Sequence, residues 1–475
     1  MHPLDLRSVL AGTGGRLRGD LPPDARFRTI ERDARAVQPG DLFIAIKGER
    51  FDGHLFISAA AANGAAAALV NRRWADVTES PLPLIVVEDD PILALQRLAG
   101  WWRNRLPTTV VGITGSVGKT SAKEVTAAIL GRRFRVYKSP GNLNNEIGLP
   151  LSLLEIAPDV EVAVLEMGGA YAFGDLTLLA GIAQPGLGAV LNIHPVHLER
   201  MGSLAAIAET KAELVDALPA DGVAVLNVDD PLVRPMRDRC RGRIVTFGLE
   251  AGADVRATDA EDLGLGGIRF TLEIGDRRWP AATPMVGEHV PAMVLAGLAV
   301  GYALGMEPEE MLPALADRAA QIRLRFVPGP GGSQLIDDTY NASPPSMFSS
   351  LGVLAAAGAA RAIAVLGDMR EMGAASADAH QRVGRRAAET ADWIITFGAE
   401  ARGIAAAAME PTVDGKRPRV TSFGADDRDE LIALLRRELG PGDVALLKGS
   451  RGLRMEDIVA ALGEAAAGEG ETAAR

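Results

Sequence analysis

Cysteine is almost absent: the chain has one, Cys240, which excludes an internal disulfide framework and fits a reducing, cytoplasmic setting. A basic excess is absent too. Lysine and arginine number 50 against 61 aspartates and glutamates, a net charge of −11, so no broad nucleic-acid surface is expected, although local arginines can still hold anionic metabolites. Long apolar runs are also missing. The nearest, Val290–Met306, falls short of the roughly 20 residues a bilayer requires and contains three glycines and a proline. It is expected to be a buried helix, not a membrane span. The opening MHPLDLRSVL has no basic stretch followed by an apolar core, so no secretory signal is expected. Alanine tracts such as Ala59–Ala68 and Ala405–Ala408 carry helical bias and no functional message.

What the chain does have is a globular composition, 48% hydrophobic and 23% charged over 475 residues, enough for about three domains each burying its own core. Residues 1–107 hold short strands (Asp41–Ile46, Leu84–Val87) around an alanine-rich helix and end at a tryptophan-containing segment and Pro107. Residues 108–324 alternate buried strands, among them Val162–Leu165 and Leu187–Asn192, with helical stretches, the rhythm of a mostly parallel sheet. Gly222–Pro284 breaks that rhythm and is expected to be a β-rich subregion. Residues 325–475 repeat strand-then-glycine at Ala362–Gly367, Trp393–Gly398, Val420–Gly424 and Val444–Gly449, a second α/β sheet. The expected fold class is therefore α/β with three domains: a small N-terminal α/β domain, a central P-loop-type domain and a C-terminal Rossmann-like domain.

The segment TVVGITGSVGKTSAKE, residues 109–124, is the most informative. An apolar strand runs into a glycine turn and a helix start, so the backbone N–H groups around Gly115, Ser116, Val117 and Gly118 point at an anion. Lys119 is placed to reach terminal phosphates, and Thr120 and Ser121 open the helix, with the Thr120 hydroxyl available to Mg²⁺. The spacing departs from the common Walker A form, because Ile113 stands where its leading glycine falls and the nearest glycine is Gly112. A plain glycine turn without a ligand would read similarly. The strand–loop–helix context favours a nucleoside triphosphate.

Glu166 ends the next strand and is placed as a Mg²⁺-holding carboxylate, although strand-end glutamates are often only solvated caps. NIHPVHLE, residues 192–199, puts two histidines after another strand, with His197 on the same sheet edge as Glu166.

Taken in order, these motifs resemble the Mur ligase family of ATP-dependent amide-forming enzymes. The matches are TGSVGKTS, GNLNNEIG at residues 141–148, LEMGG around Glu166, NIHPVHLE, TKAELV around Lys211, IDDTYNASPPSM at Ile336–Met347, LGDM at Leu366–Met369 and KGSR at Lys448–Arg451. NLNNEIG, DDTYNASP and the amino-terminal DAR…PGDLFIAIKGERFDGHLF resemble the branch that joins D-alanyl-D-alanine to UDP-N-acetylmuramoyl-tripeptide. The Asp-Asn-Pro-Arg tetrapeptide of the diaminopimelate-adding branch is absent.

The resemblance implies ATP and Mg²⁺ as cofactors, with Lys119, Lys211, His197 and Glu166 as the catalytic set. It implies Thr120, Glu166, His197 and Lys211 around the metal, Lys211 being carbamylated by CO₂. Read without it, Lys211 would be an exposed lysine pairing with Glu213 or Glu209. The resemblance also implies that His289, Arg323 and Asp338 help hold ATP. The uridine-nucleotide peptide would meet Asp33, Arg35, Lys47, Gly48, His54, Asn144 and Asn145. The dipeptide would meet Tyr340, Asn341, Lys448 and Arg451, where a cation can pair with its carboxylate. Each of these could instead be an ordinary loop residue.

Two departures stand out: Met293 replaces an asparagine that contacts adenine in the family, and Asp33-Ala34-Arg35 replaces the commoner Asp-Ser-Arg. A folylpolyglutamate-type ligase and a non-catalytic nucleotide switch are the rivals. The amino-terminal segment opposes the first; the second lacks an Asn-Lys-x-Asp guanine motif. A monomer is expected, and the third residue of the peptide substrate has no readable determinant.

Overall fold

The computed structural model describes residues 5–48, 51–169, 172–196, 198–287, 290–316, 324–412, 415 and 417–463. Their strands form three sheets. The first, in the order Arg16–Arg18, Leu84–Val87, Ala67–Asn71, Leu42–Ile44, Ile30–Glu31, is parallel except for the antiparallel edge Arg16–Arg18. The second has nine strands. From one edge they are Arg277–Thr283, Ile268–Ile274, Val255–Asp262, Arg243–Gly248, Val223–Asn227, Leu187–Val190, Thr109–Thr114, Val162–Glu166 and Val136–Lys138. The third runs Arg325–Pro328, Gln334–Asp337, Asp443–Lys448, Arg361–Gly367, Trp393–Phe397, Arg419–Phe423, again with one antiparallel edge.

Central strands such as Val162–Glu166 and Asp443–Lys448 are buried along their whole length, as their continuous apolar runs require when both faces are covered. The stretch Gly222–Pro284, expected to break the central rhythm, extends the same sheet. Val223–Asn227 and Arg243–Gly248 continue its parallel order, and the last three strands form an antiparallel meander at its edge.

Two strands sit where the winding of their sheet reverses. Thr109–Thr114 lies between Leu187–Val190 and Val162–Glu166, and Asp443–Lys448 between Gln334–Asp337 and Arg361–Gly367. Such points open a crevice beyond the strand ends.

The helix Val290–Ala303 is buried as expected and packs on Lys119–Leu130. Gly297 and Gly301 permit that approach: a methyl group on Gly297 would stand 3.0 Å from Ile129 Cδ1. Among the described residues no helix is long and apolar enough to cross a membrane.

The first two sheets share one apolar cluster, while each keeps its own on its other face. The helix Pro91–Arg103, capped by Asp90 with a proline at its first turn, lies between them. Its Leu95, Leu98 and Trp102 share one apolar cluster with Leu42, Ile44 and Ile85 on one side and Leu149, Leu165 and Met167 on the other. Trp102 Nε1 donates to the Ile156 carbonyl at 3.1 Å across the same boundary. The third sheet has separate clusters on its two faces.

Candidate active site

Glycine geometry sets the loop after Thr109–Thr114. Gly118 holds φ +83° at the start of the helix Lys119–Leu130, a conformation side chains resist. Gly115 has no room for a side chain, since a Cβ would stand 2.9 Å from Leu191 Cβ. Asn192 clamps the loop from outside: its Oδ1 accepts from Val117 N at 2.9 Å and its Nδ2 donates to Val117 O at 3.1 Å. Ser116 Oγ accepts from His194 N at 2.8 Å. The loop is thus pre-shaped before any ligand arrives. Lys119 folds back over it, its Nζ donating to the carbonyls of Gly115 at 2.7 Å and Ser116 at 3.1 Å.

At the second residue of the helix, Thr120 Oγ1 donates to Glu166 Oε2 at 2.6 Å, and Asn144 Nδ2 donates to Glu166 Oε1 at 2.7 Å. Glu166 is only 1% exposed, a buried carboxylate served by neutral donors. The hydroxyl and carboxylate oxygens make a hard donor set of the kind Mg²⁺ takes. Among the described residues no group of three or more His, Cys, Asp and Glu gathers to hold a metal. Phosphate oxygens or water would therefore have to fill much of an ion's coordination.

Lys211 lies in the helix Leu204–Asp216, only 3% exposed. Its Nζ donates to the carbonyls of Gly168 and, at 2.6 Å, Gly169. It is not the exposed, helix-paired lysine of the simplest reading. Glu213 caps the neighbouring helix Asp175–Ala183 through Gly174 N and Thr177 N, and Glu209 pairs with Arg239. Burial, reinforced by the Lys119 cation, holds the Lys211 amine well below the usual lysine range.

The third sheet supplies the opposite wall. Asp338, Tyr340, Asn341, Lys448 and Arg451 join Gly115–Lys119, Ser121, Asn144, Asn145, Glu166 and Lys211 around one cleft of about 500 Å³. Arg451 crosses it, donating to Asn142 Oδ1 at 2.9 Å with its guanidinium 5.3 Å from the Tyr340 ring centre.

Several of the expected residues are engaged by other protein groups in this geometry. Lys448, expected free for a carboxylate, is 2% exposed and donates to Asp338 Oδ2 at 2.6 Å and to the Asn341 carbonyl at 2.9 Å. Asp338, expected to reach ATP, spends that same oxygen on Lys448 and on Ser350 Oγ at 2.5 Å. The Asn145 side chain caps the helix Gly148–Leu154 by accepting from Gly148 N at 2.8 Å. His54 is a buried structural histidine: Nδ1 lies 2.6 Å from Asp52 Oδ1 and Nε2 lies 3.1 Å from Asn71 Nδ2.

Asp33 and Arg35 form a bidentate pair on the first unit, with contacts of 2.9 and 2.7 Å, and Lys47 is exposed beside the bridge to Asp52. Asp33, Arg35, Lys47 and His54 do not line the cleft. Met293 packs against Gly118, where a Cβ would lie 3.1 Å from its Cγ and Sδ. His197, His289 and Arg323 lie outside the described residues.

The sequence reading also missed residues. Asn192 sat inside a noted motif but was passed over for its histidines. Lys123, one turn past Lys119 and fully buried, donates to Ser139 O and to Gly141 O at 3.1 Å, tying the helix to the asparagine loop. Only burial distinguishes it from a surface lysine.

Comparison with known proteins agrees with this architecture. Three family models match along the chain: the Mur ligase family catalytic domain at residues 26–101, the Mur ligase middle domain at 113–301 and the Mur ligase glutamate ligase domain at 322–451. The UDP-N-acetylmuramoyl-tripeptide–D-alanyl-D-alanine ligase of Synechocystis sp. is 35% identical over 93% of this chain and 93% of its own length. A crystal structure of MurF from Acinetobacter baumannii superposes with a TM-score of 0.82 at 32% identity, covering 98% of this chain and 99% of that one. MurF ligase from Thermotoga maritima, solved with ADP, gives 0.76 at 31% identity over 93% and 98%. With all three models in register and such relatives matched nearly end to end, the chain belongs to the Mur ligase family.

Proposed function

We infer that this chain is an ATP-dependent ligase joining D-alanyl-D-alanine to UDP-N-acetylmuramoyl-tripeptide, the reaction named for its relatives. One observation carries the reading: a pre-shaped phosphate loop, a buried carboxylate and a third-sheet wall meet in a single cleft.

A carboxylate does not condense with an amine in water without activation. The peptide carboxylate therefore attacks the γ-phosphorus of ATP, ADP leaves, and an acyl phosphate forms. The amine of the dipeptide then attacks the acyl carbon, phosphate leaves, and the amine nitrogen loses a proton. Negative charge accumulates on the phosphoryl oxygens in the first step. The amides of the 115–118 loop and Lys119 stabilise it, Lys119 exchanging its carbonyl partners for phosphate. Thr120 and Glu166 would hold Mg²⁺, with His197 a further candidate; when bound, the ion would neutralise phosphate charge. Asn144 orients the Glu166 carboxylate.

Asp33, Arg35 and Lys47 would meet the uridine-nucleotide end of the substrate from the first unit, and His289 and Arg323 would complete the nucleotide site. Tyr340, Asn341 and Arg451 would face the dipeptide, with Asp338 and Lys448 as the buried pair that shapes this wall. Carbamylation of Lys211 is supported by its buried amine, since only the neutral form reacts with CO₂. An intact-mass increase of one CO₂ on Lys211 in bicarbonate, absent from Lys211→Ala, is the expected result.

The test of the whole reading is phosphate release from ATP with each substrate omitted in turn, and mass spectrometry of the product. Release only with both substrates, with a pentapeptide product, is expected. Release with a different amine donor, or none, would overturn the assignment.

A further inference from the structure

We propose that Arg370 is the residue that recognises the free carboxylate of the incoming dipeptide. The inference rests on the ligase reading above and names the cation that reading needs.

An amine donor with a free carboxylate presents opposite chemistry at its two ends. Its nitrogen must reach the acyl carbon beside the phosphate loop, so its carboxylate lies toward the third-sheet wall. The single carboxylate of such a substrate is held best by a guanidinium able to offer two parallel N–H groups.

The cations lining the cleft divide cleanly. Lys119 folds on its own loop, and Lys211 is buried against Gly168 and Gly169. Lys448 is committed to Asp338, and Arg451 to Asn142. Arg370 lines the same cleft, is exposed, and makes no side-chain hydrogen bond or ion pair among the described residues.

Its backbone is held. The Arg370 backbone N donates to Ser450 Oγ at 2.9 Å. The side chain lies against Gly452, where an added Cβ would come within 2.3 Å of Nη1 and 3.1 Å of Cζ. Gly452 is not among the glycines with positive φ, and the guanidinium lies over the space a side chain there would occupy. The following residue, Glu371, holds φ +64°, an unfavourable state for a non-glycine residue of the kind that clusters at binding sites. An arginine with its donors unspent, bedded on a glycine at the mouth of a cleft, is arranged to receive a carboxylate.

Steady-state kinetics with D-alanyl-D-alanine and with its C-terminal amide test this. In wild type the amide should have the higher KM. Arg370→Ala should raise KM for the dipeptide about ten-fold or more, leave KM for ATP and the tripeptide unchanged, and leave KM for the amide nearly unchanged. Arg370→Lys should recover part of the loss. Equal effects on dipeptide and amide, a change confined to ATP, or no change would overturn the proposal while leaving the ligase reading intact. A wild-type enzyme inert toward D-alanyl-D-alanine would overturn both.

Discussion

At the scale of single residues, the site is governed by which charges are already spent. Lys448 and Asp338 are both buried and paired. Removing one partner strands the other in a low-dielectric wall, so Lys448→Met should cost about 3–5 kcal/mol in denaturant unfolding. Lys448→Met combined with Asp338→Asn should recover part of that loss. The Asp33–Arg35 pair behaves differently. The Arg35 guanidinium and backbone N–H hold the Asp33 carboxyl down to about 2 from its ordinary 3.8. A depressed carboxylate pKa adds stability that is full above 3.8 and lost as pH falls through about 2. Because the pair is largely exposed, the clearer readout is an NMR titration of Asp33. Its midpoint should rise toward 3.8 in Arg35→Ala. The Asp338–Lys448 pairing was not legible in the sequence. Both residues were marked as ligand-facing by motif, but they are 110 positions apart, and no local pattern reports that two such groups satisfy each other.

At the scale of elements, the strand–loop–helix unit was readable because its determinants are local. An apolar strand, glycines at the turn and a helix start lie within one short segment, and the structure builds them as written. The strands at Leu84–Val87 and Trp393–Phe397 were readable for the same reason, being short apolar runs bounded by turn residues. Gly118→Ala tests the loop. Forcing alanine to φ +83° should cost about 1–2 kcal/mol, and the added methyl meets Met293. ADP affinity measured by calorimetry should fall, and Met293→Ala in the same chain should relieve only the contact and not the backbone strain. The β-rich character of Gly222–Pro284 was readable, but not that its strands extend the central sheet. Its alternation is clear in sequence, but the edge it extends is chosen by parallel pairing with Leu187–Val190 through Val223–Asn227, a non-local event.

At the scale of the whole molecule, the three sheets expected from length and rhythm are present, and one apolar cluster bridges the first two. The helix Pro91–Arg103 fuses the first two sheets through one apolar cluster, while the third keeps its own. Calorimetry should therefore resolve two unfolding transitions. Leu98→Ala, which empties the fused cluster, should lower the joint one by about 2–5 kcal/mol and leave the other in place. In the sequence this stretch stood only as the tryptophan-containing end of the first unit, because the two sheets that cover the helix's apolar face meet it from far along the chain. The asparagine loop and the phosphate loop both hang from the second sheet, tied together by Lys123 and by Asn144 through Glu166, so a molecule spanning them meets a surface supplied by one unit. Inhibitors anchored there should keep their affinity in Arg451→Ala, which cuts the bond to Asn142 across the cleft, whereas those that also grip the third-sheet wall should lose affinity in the same variant.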